Sequence, residues 1–438
     1  MPLGLRFFTD RSDLVLVAAV ALLPVDGTVI GIYAPFWTPI SPWLFLLHTA
    51  MNWKWLPAVY RRFRMFFWLP ALLVVMSVAG WMVFGFHPLA AAESLLGVVG
   101  ALACLIALDI AIVQKHVDWR RLIHILIAAY WCAFAIGVVQ WLAIRLDVQC
   151  VIDYFSRLMQ RQYVSDASVW GGGRPQFLFA EPSYIGMHLY GVLLPLMWLM
   201  RHRDTVYAKR LRELIVVFAA GSIIMGAGTR IVLDSIVALA VVIVERTRWR
   251  DLTMRRHGVL ALFGTLVLGA ISLVLDDRLN AIATHGMTGD GSFFARIYQS
   301  LGPLMGMAQR PWTLVTGFGA GNIADATHLG AAGAANLLRR LGGDGAGAAN
   351  WYAGVTHENM FTMSAWTSWL VEFGLIGAGL LCAMVLRHIT RTAGWHKTVV
   401  CWLVLVVYLY VQFEGYAFYA LPLLVWAAST AIPREGVR

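Results

Sequence analysis

The chain has 438 residues, of which 60% are hydrophobic and 13% are charged, about half of the charged share of an ordinary soluble domain. This composition excludes a water-soluble globular protein for most of the length. The net charge of +10 lies in the connections between apolar segments, so it indicates membrane topology and gives no reason to expect nucleic acid as a partner.

Nearly continuous apolar segments recur along the chain, and each is long enough to cross a hydrocarbon core of about 30 Å. The basic start has no small-residue cleavage site, so we expect the first apolar helix to be retained. We predict an all-α polytopic membrane protein with about 12 transmembrane helices, which form a single transmembrane domain over residues 1–438. The predicted spans are 14–32, 36–53, 66–85, 89–114, 122–146, 176–200, 213–229, 231–245, 258–276, 361–386, 398–412 and 415–432.

The basic residues predict the orientation of these spans. If the N-terminus is cytoplasmic, 24 of the 34 Lys and Arg residues, including every Lys, lie in cytoplasmic segments. This bias follows the positive-inside rule. It places two long segments, 147–175 and 277–360, on the side of the bilayer away from the cytoplasm. A single broken helix over 213–245 is an alternative that leaves Arg230 at about the same depth.

These two outward segments differ in character. The segment 147–175 begins as an amphipathic helix that would lie on the membrane surface, and it ends in the run Gly171-Gly172-Gly173-Arg174-Pro175. The segment 277–360, between the ninth and tenth spans, contains a predicted helix near 293–309 and a glycine-rich turn at 317–322. Its aromatic residues indicate packing and not disorder. We expect it to form a lid over a cavity in the membrane.

Two arginines are candidates for binding an anionic ligand. Arg230 lies at the outer membrane boundary beside apolar residues, so we expect its guanidinium group to face a polar cavity. The fork geometry of arginine suits phosphate oxygens. The alternative is that Arg230 extends to lipid headgroups or pairs with Asp234, one turn further along the helix. Arg296 falls on the predicted helix of the long segment, where a solvated face is the alternative.

Arg174 and Glu181 flank the entry to the sixth span. Arg174 follows three glycines, which allow the backbone to approach a ligand closely. A carboxylate just inside a membrane helix is costly unless it is paired. Pairing of Glu181 with Arg174 or Arg230 and contact of Glu181 with a substrate are therefore equally open.

The run Thr356-His357-Glu358-Asn359 precedes the tenth span. An imidazole can accept a proton from an attacking hydroxyl near neutral pH, and a carboxylate can orient it, so His357 and Glu358 are candidate catalytic residues and Asn359 a candidate substrate contact. Adjacent helical residues do not face each other, so Glu358 is not automatically the orienting group. The alternative is a capping cluster, because Thr and Asn are common cap residues. The five cysteines predict neither a disulfide framework nor a metal site.

In order and spacing, these features resemble the Wzy/WaaL superfamily of bacterial O-antigen polymerases and O-antigen ligases. The resemblance covers about residues 170–380. The elements that carry it are Gly-Gly-Gly-Arg174-Pro, Phe-Ala-Glu181-Pro-Ser183, Gly-Thr-Arg230, Phe-Ala-Arg296, Thr316-Gly-Phe-Gly-Ala-Gly321-Asn, Thr-His357-Glu-Asn359-Met and Leu370-Val-Glu-Phe-Gly374.

The resemblance implies a membrane glycosyltransferase of the bacterial inner membrane, with its active site facing the periplasm. Such an enzyme passes a glycan from an undecaprenyl-diphosphate-linked donor to an acceptor hydroxyl, with inversion and without a metal or other cofactor. Arg230 and Arg296, with Arg174 nearby, would hold the donor diphosphate, and His357 would help to activate the acceptor. Other polysaccharide assembly proteins could be partners.

Two alternatives to a polymerase remain. The Glu-Pro-Ser element at 181–183 looks like the polymerases, whereas the His-Glu-Asn segment is similar to the ligases, whose acceptor is lipid A core. A lipid-linked oligosaccharide transporter or flippase is the alternative from another class, but we find no pair of similar halves in the sequence. Polar residues within the predicted spans suit a transporter: they are Asp26, His48, Glu93, Asp109, His124, Glu372 and Glu414.

Overall fold

The computed structural model describes residues 10–32, 38–165, 172–201, 203–360, 362–411 and 419–430. Glu414, part of the segment 147–175 and parts of four predicted spans lie outside these ranges; those spans are 36–53, 361–386, 398–412 and 415–432. The described residues are predominantly helical, which confirms the all-α class. Two short strands, Gly31–Ile32 and Thr38–Pro39, pair with each other in antiparallel fashion.

The described residues form 18 α-helices. The first ten are α1 (Arg11–Ala21), α2 (Ile40–Met51), α3 (Leu56–Phe84), α4 (Pro88–Asp109), α5 (Trp119–Arg145), α6 (Gln149–Leu158), α7 (Leu194–Arg201), α8 (Thr205–Ile224), α9 (Thr229–Arg246) and α10 (Leu252–Leu275). The remaining ones are α11 (Asp277–His285), α12 (Gly291–Gln309), α13 (Thr313–Thr316), α14 (Ile323–Arg340), α15 (Gly345–Ala353), α16 (Ala365–Thr392), α17 (Lys397–Tyr410) and α18 (Ala420–Thr430). A 3-10 turn and a π-helix, Pro182–Tyr184 and Met187–Leu193, lead into α7.

Six helical segments among the described residues are long and apolar enough to cross a membrane: Trp53–Phe84, Pro88–Gln114, Trp119–Arg145, Pro182–Arg201, Leu252–Leu275 and Ala365–Thr392. On α10, Leu260, Phe263 and Leu266 are each more than 60% exposed, which suits contact with lipid and not with water. The chain therefore has the character of a multi-pass membrane protein. Each of the 12 predicted spans overlaps a helix, but several of these helices are short. The 11 residues of α1, for example, cover only about 16 Å.

The segment 277–360 contains five helices, α11 to α15. In this helical layer α12 and α14 touch along small residues. A β-carbon added to Gly330 of α14 would lie 2.0 Å from the carbonyl oxygen of Gly302 on α12. Such contacts let two helix backbones approach closely. Tyr352 of α15 packs against this pair and donates from its hydroxyl to the carbonyl oxygen of Tyr298, at 2.7 Å.

The glycine-rich turn at 317–322 joins the helical layer to α16. The backbone N–H groups of Phe318 and Gly321 donate to the Val371 carbonyl and the Glu372 carboxylate, at 2.8 and 2.7 Å. Gly317 has a φ of +79°, and a β-carbon there would lie 2.1 Å from the backbone oxygen of Glu372. Glycine is therefore required by both backbone conformation and space. This turn has a structural explanation that needs no ligand.

Candidate active site

Two buried glutamines fix the segment that leads to Glu181. The side-chain oxygen of Gln140 accepts from the backbone N–H groups of Gln176 and Phe177, at 3.1 and 2.8 Å. The amide of Gln176 in turn accepts from Tyr163 N–H at 2.7 Å and donates to the Arg161 carbonyl at 2.9 Å. Buried amides that are fully engaged in this way rigidify their surroundings. The positions of Arg161 and its neighbours are thus determined by the fold.

Glu181 pairs with an arginine that the sequence analysis did not single out for it. Its carboxylate accepts from Nη1 of Arg161 and, at 2.8 Å, from the Ser183 hydroxyl. Arg161 and Glu181 are both buried. Pairing with Arg174 or Arg230 was one of two open alternatives for Glu181. The structure shows an ion pair with Arg161, which follows the end of the amphipathic helix at Leu158.

Arg174 lies over the ring of Tyr163, with its guanidinium carbon 4.9 Å from the ring centroid. Burial lowers the pKa of Arg174, and the charge of Arg278 acts in the same direction, whereas Glu181 and other anionic groups oppose it. A β-carbon on Gly228 would lie 3.8 Å from Nη1 of Arg174. Arg174 therefore reaches the start of α9, where Arg230 is located.

Arg230 is the second residue of α9, whose N-cap, Gly228, provides no side-chain cap. The N-terminus of a helix carries partial positive charge and backbone N–H groups that can bind an anion. Nε of Arg230 donates to both oxygens of Asp234, at 3.0 and 3.1 Å. The Tyr408 hydroxyl also donates to Asp234, at 2.8 Å. Arg230 therefore pairs with Asp234, as one alternative proposed. This ion pair fixes the guanidinium group of Arg230 at the start of α9.

Arg296 enters the same site from the helical layer. Its Nη1 donates to the hydroxyl of Ser292 at 2.7 Å, while its Nε is shielded from solvent and has no hydrogen bond to any residue that the structure describes. Burial lowers the pKa of Arg296; the carboxylate of Glu181 opposes this shift and the charge of Arg230 adds to it. Charges that influence one another in this way belong to one site.

We call this site the arginine cluster. Its described members are Arg161, Arg174, Arg230, Arg278 and Arg296, together with the carboxylates Glu181, Asp234 and Asp290. Among the described residues of the cluster, five guanidinium groups against three carboxylates leave two positive charges in excess. The cluster brings together the predicted residues Arg174, Glu181, Arg230 and Arg296. It can bind a dianionic ligand and stabilise negative charge that develops on it.

His357 belongs to a second group of residues. Its Nε2 lies 2.9 Å from Oδ2 of Asp325, and its ring stacks on that of His87 with a centroid distance of 3.4 Å. Glu358 is exposed, so Asp325 and not Glu358 orients the imidazole. Asn359 accepts from the backbone N–H of its own turn at residue 356, at 2.7 Å, which agrees with the capping alternative.

A cavity of about 250 Å³ opens beside His357. Most of its lining residues are apolar, and they come from α3, α4, α16, α17 and α18. Glu93, Ser94, Ser368 and Glu372 are polar lining residues on α4 and α16, and the Ser94 hydroxyl donates to Glu372 at 2.6 Å. This cavity can accept an apolar chain or the apolar face of a larger ligand.

The arginine cluster and His357 lie beside different parts of α12. A β-carbon on Gly306 would lie 2.0 Å from the carbonyl oxygen of Ala326, the residue after Asp325. Arg296 precedes Gly306 by ten residues on α12, or about 15 Å along the helix axis. The arginine cluster and the Asp325–His357 pair are therefore not in direct contact with each other.

Comparison with models of known protein families finds no match, and a search of curated proteins finds no similar sequence. Any assignment of function depends on the residues and their geometry.

Proposed function

We propose that the protein is a membrane glycosyltransferase of the O-antigen polymerase and ligase type. The donor would be a glycan linked to undecaprenyl diphosphate, and the acceptor a hydroxyl on a lipid-linked glycan. The observation that carries the proposal is the arginine cluster at the start of α9. Its two excess positive charges suit a diphosphate with a negative charge on each phosphate. A donor held in the bilayer by its polyprenyl chain would present its diphosphate at the end of a membrane helix.

The arginine cluster would act on the leaving group. When the bond between the anomeric carbon and the diphosphate breaks, the electron pair stays on the diphosphate oxygen. Guanidinium groups that are already in position stabilise this charge without reorganisation. Arg296 has a buried Nε that no described residue uses, so it can donate a new bond to a phosphate oxygen. Glu181 and Asp234 hold Arg161 and Arg230 in place and act as positioning residues.

The Asp325–His357 pair would act on the acceptor. With Asp325 accepting from Nε2 of His357, the lone pair on Nδ1 is available to take the proton of the attacking hydroxyl. An inverting displacement needs the base and the leaving group on opposite faces of the sugar, and in inverting glycosidases the two catalytic carboxyl groups lie roughly 6.5–9.5 Å apart. A diphosphate adds to that length. The rise of about 15 Å along α12 from Arg296 to Gly306, which contacts the residue after Asp325, leaves room for a sugar and a diphosphate between the two groups.

We also propose that the chain crosses the inner membrane 12 times, with both termini in the cytoplasm and the segment 277–360 in the periplasm as a lid over the active site. Single cysteines in a background without the native ones test this topology. Ala346→Cys on α15 and Lys209→Cys on α8 are both exposed positions. In intact cells, a membrane-impermeant maleimide should label Ala346→Cys and leave Lys209→Cys unlabelled; the reverse pattern contradicts the proposed orientation.

The reaction separates the three candidate functions. Purified protein in vesicles is given a polyprenyl-diphosphate-linked oligosaccharide, with or without lipid A core. A ladder of longer glycans on the lipid carrier is expected for a polymerase, which the Glu-Pro-Ser element at 181–183 favours. Transfer only to lipid A core would establish a ligase. Movement of the lipid across the bilayer without new glycosidic bonds would identify a transporter and overturn both enzyme assignments.

A further inference from the structure

Three side chains from distant parts of the sequence converge beside the cavity. His87 immediately precedes α4, Asp325 lies in the first turn of α14, and His357 lies in the turn before α16. The possible ligand atoms of these three residues all lie within 4.8 Å of one another. We propose that they bind one divalent transition-metal ion, for which Zn²⁺ is the best match.

The distances suit a small ion. Oδ2 of Asp325 lies 2.9 Å from Nε2 of His357 and 3.8 Å from Nε2 of His87. Tetrahedral Zn²⁺ with bonds of about 2.0–2.2 Å places neighbouring ligand atoms about 3.4 Å apart. The two observed distances lie on either side of this value. The rings of His87 and His357 are stacked with a centroid distance of 3.4 Å, so one ring must turn out of the stack to place all three ligand atoms around one ion.

The donor set decides the class of metal. Two imidazole nitrogens and one carboxylate oxygen suit Zn²⁺ and its transition-metal neighbours, whereas Mg²⁺ and Ca²⁺ prefer oxygen ligands throughout. Three protein ligands leave a fourth position for water. The side chains of His87, Asp325 and His357 are 34%, 23% and 27% exposed, so an ion can enter from solvent.

His87 supplies an independent reason to expect a ligand. Its Nε2 is shielded from solvent and forms no hydrogen bond with any described residue. A buried nitrogen without a partner is costly. The same atom lies 3.8 Å from Oδ2 of Asp325, which is too far for a hydrogen bond, and a metal ion between them would use its lone pair. The five cysteines predicted no metal site, and the three residues proposed here come from distant parts of the sequence.

The metal site does not depend on the proposed transfer reaction. If an ion occupies Nε2 of His357, the ring proton must reside on Nδ1, and the residue then has no lone pair for an acceptor hydroxyl. Metal-bound His357 and proton-accepting His357 are thus mutually exclusive states. An ion would also join α4, α14 and the turn before α16 around the mouth of the cavity.

Zinc binding by the full chain tests the proposal. The protein is purified in detergent, its affinity tag is removed, and it is treated with a chelator and desalted. Titration with ZnCl₂, followed by calorimetry and by metal analysis after gel filtration, should give one Zn²⁺ per chain. His87→Ala and Asp325→Asn should each weaken binding at least tenfold. His285→Ala, an exposed histidine on α11, is the matched control and should bind zinc like the wild type.

Co²⁺ provides a spectroscopic test of the same ligands. The wild type should show visible absorption typical of a tetrahedral cobalt–imidazole complex, and His87→Gln, which retains a polar side chain of similar size, should not. The melting temperature of each metal-free variant shows whether it is folded. Wild-type protein that retains no zinc, or His87→Gln and Asp325→Asn variants that are folded and bind zinc like the wild type, overturn the proposal.

Discussion

Oδ2 of Asp325 lies 2.9 Å from Nε2 of His357, although the two residues are 32 positions apart in the sequence. Glu358 is next to His357 in the chain but is exposed. The fold, and not sequence adjacency, therefore selects the carboxylate that orients this imidazole.

Asp325→Asn should lower the rate of glycan transfer about 10–100-fold with little change in the KM for the donor. A neutral amide no longer stabilises the imidazolium that forms when His357 accepts a proton. The measurement is initial-rate kinetics with a polyprenyl-diphosphate-linked donor. Asp344→Asn, which keeps a capping residue at the start of α15, serves as the control and should retain full activity. An unchanged rate in Asp325→Asn would remove this pair from the mechanism.

Two hypotheses, that Glu358 or that Asp325 orients His357, predict opposite effects of substitution. If the carboxylate adjacent in sequence orients His357, then Glu358→Gln should be the damaging substitution. The geometry predicts that Glu358→Gln keeps the wild-type rate while Asp325→Asn loses it. Kinetics on the two variants, prepared side by side, decide between them.

Arg296→Ala should reduce kcat/KM about 10²–10³-fold, because one preorganised donor to the developing charge is lost. Arg296→Lys keeps the charge but loses the fork, so it should restore only part of the activity. Arg310→Ala, an exposed arginine at the end of the same helix, is the control. If Arg296→Ala and Arg310→Ala are equally active, Arg296 does not contact the diphosphate.

The buried Arg161–Glu181 ion pair should contribute measurably to the free energy of unfolding. Arg161→Ala or Glu181→Ala alone leaves a buried charge uncompensated, at a cost of about 3–5 kcal/mol, whereas the double substitution should cost less than the sum of the two. Unfolding by SDS in mixed micelles measures each variant. Additive effects would show that the two side chains do not interact and would favour direct contact of Glu181 with a substrate.

Gly317→Ala should destabilise the protein more than Gly342→Ala. The two glycines have nearly the same φ, +79° and +81°, so alanine should cause about the same backbone strain at both positions. A β-carbon at Gly317 meets the Glu372 carbonyl oxygen at 2.1 Å, while one at Gly342 meets open space. The difference in free energy of unfolding isolates the contact between the turn 317–322 and α16; equal values would show that this contact contributes nothing.

The helical class and the membrane character were predictable, because long apolar segments separated by basic connections are the sequence pattern of helices that lie in lipid. The number of crossings was harder to predict, since a short helix such as α1 does not reach the usual length of a membrane span. The helix α14 was missed because its buried face consists mostly of alanine and glycine and carries few large apolar side chains; its contact with α12 depends on backbone approach at Gly302 and Gly330.

At the candidate site, the residue types in the sequence allowed several members to be selected, but the sequence did not show which residues contact one another. Arg230 could be selected because arginine is costly at a membrane boundary, and Arg174 because it follows three glycines. Arg296 was selected through the resemblance of its Phe-Ala-Arg element, and the structure brings the three together with Glu181. Arg161 as the partner of Glu181, and His87 and Asp325 as neighbours of His357, depend on contacts between distant segments. No local pattern in the sequence reports such contacts.

The most direct measurement is the amount of free polyprenyl diphosphate released for each glycosidic bond formed, in vesicles that contain only this protein, the lipid-linked donor and the acceptor. We predict equal amounts of the two products with the wild type and neither product above background with Arg296→Ala. Glycan lengthening at the wild-type rate in Arg296→Ala, or a wild-type protein that forms no glycosidic bond and releases no diphosphate carrier, would contradict the proposed role of the arginine cluster.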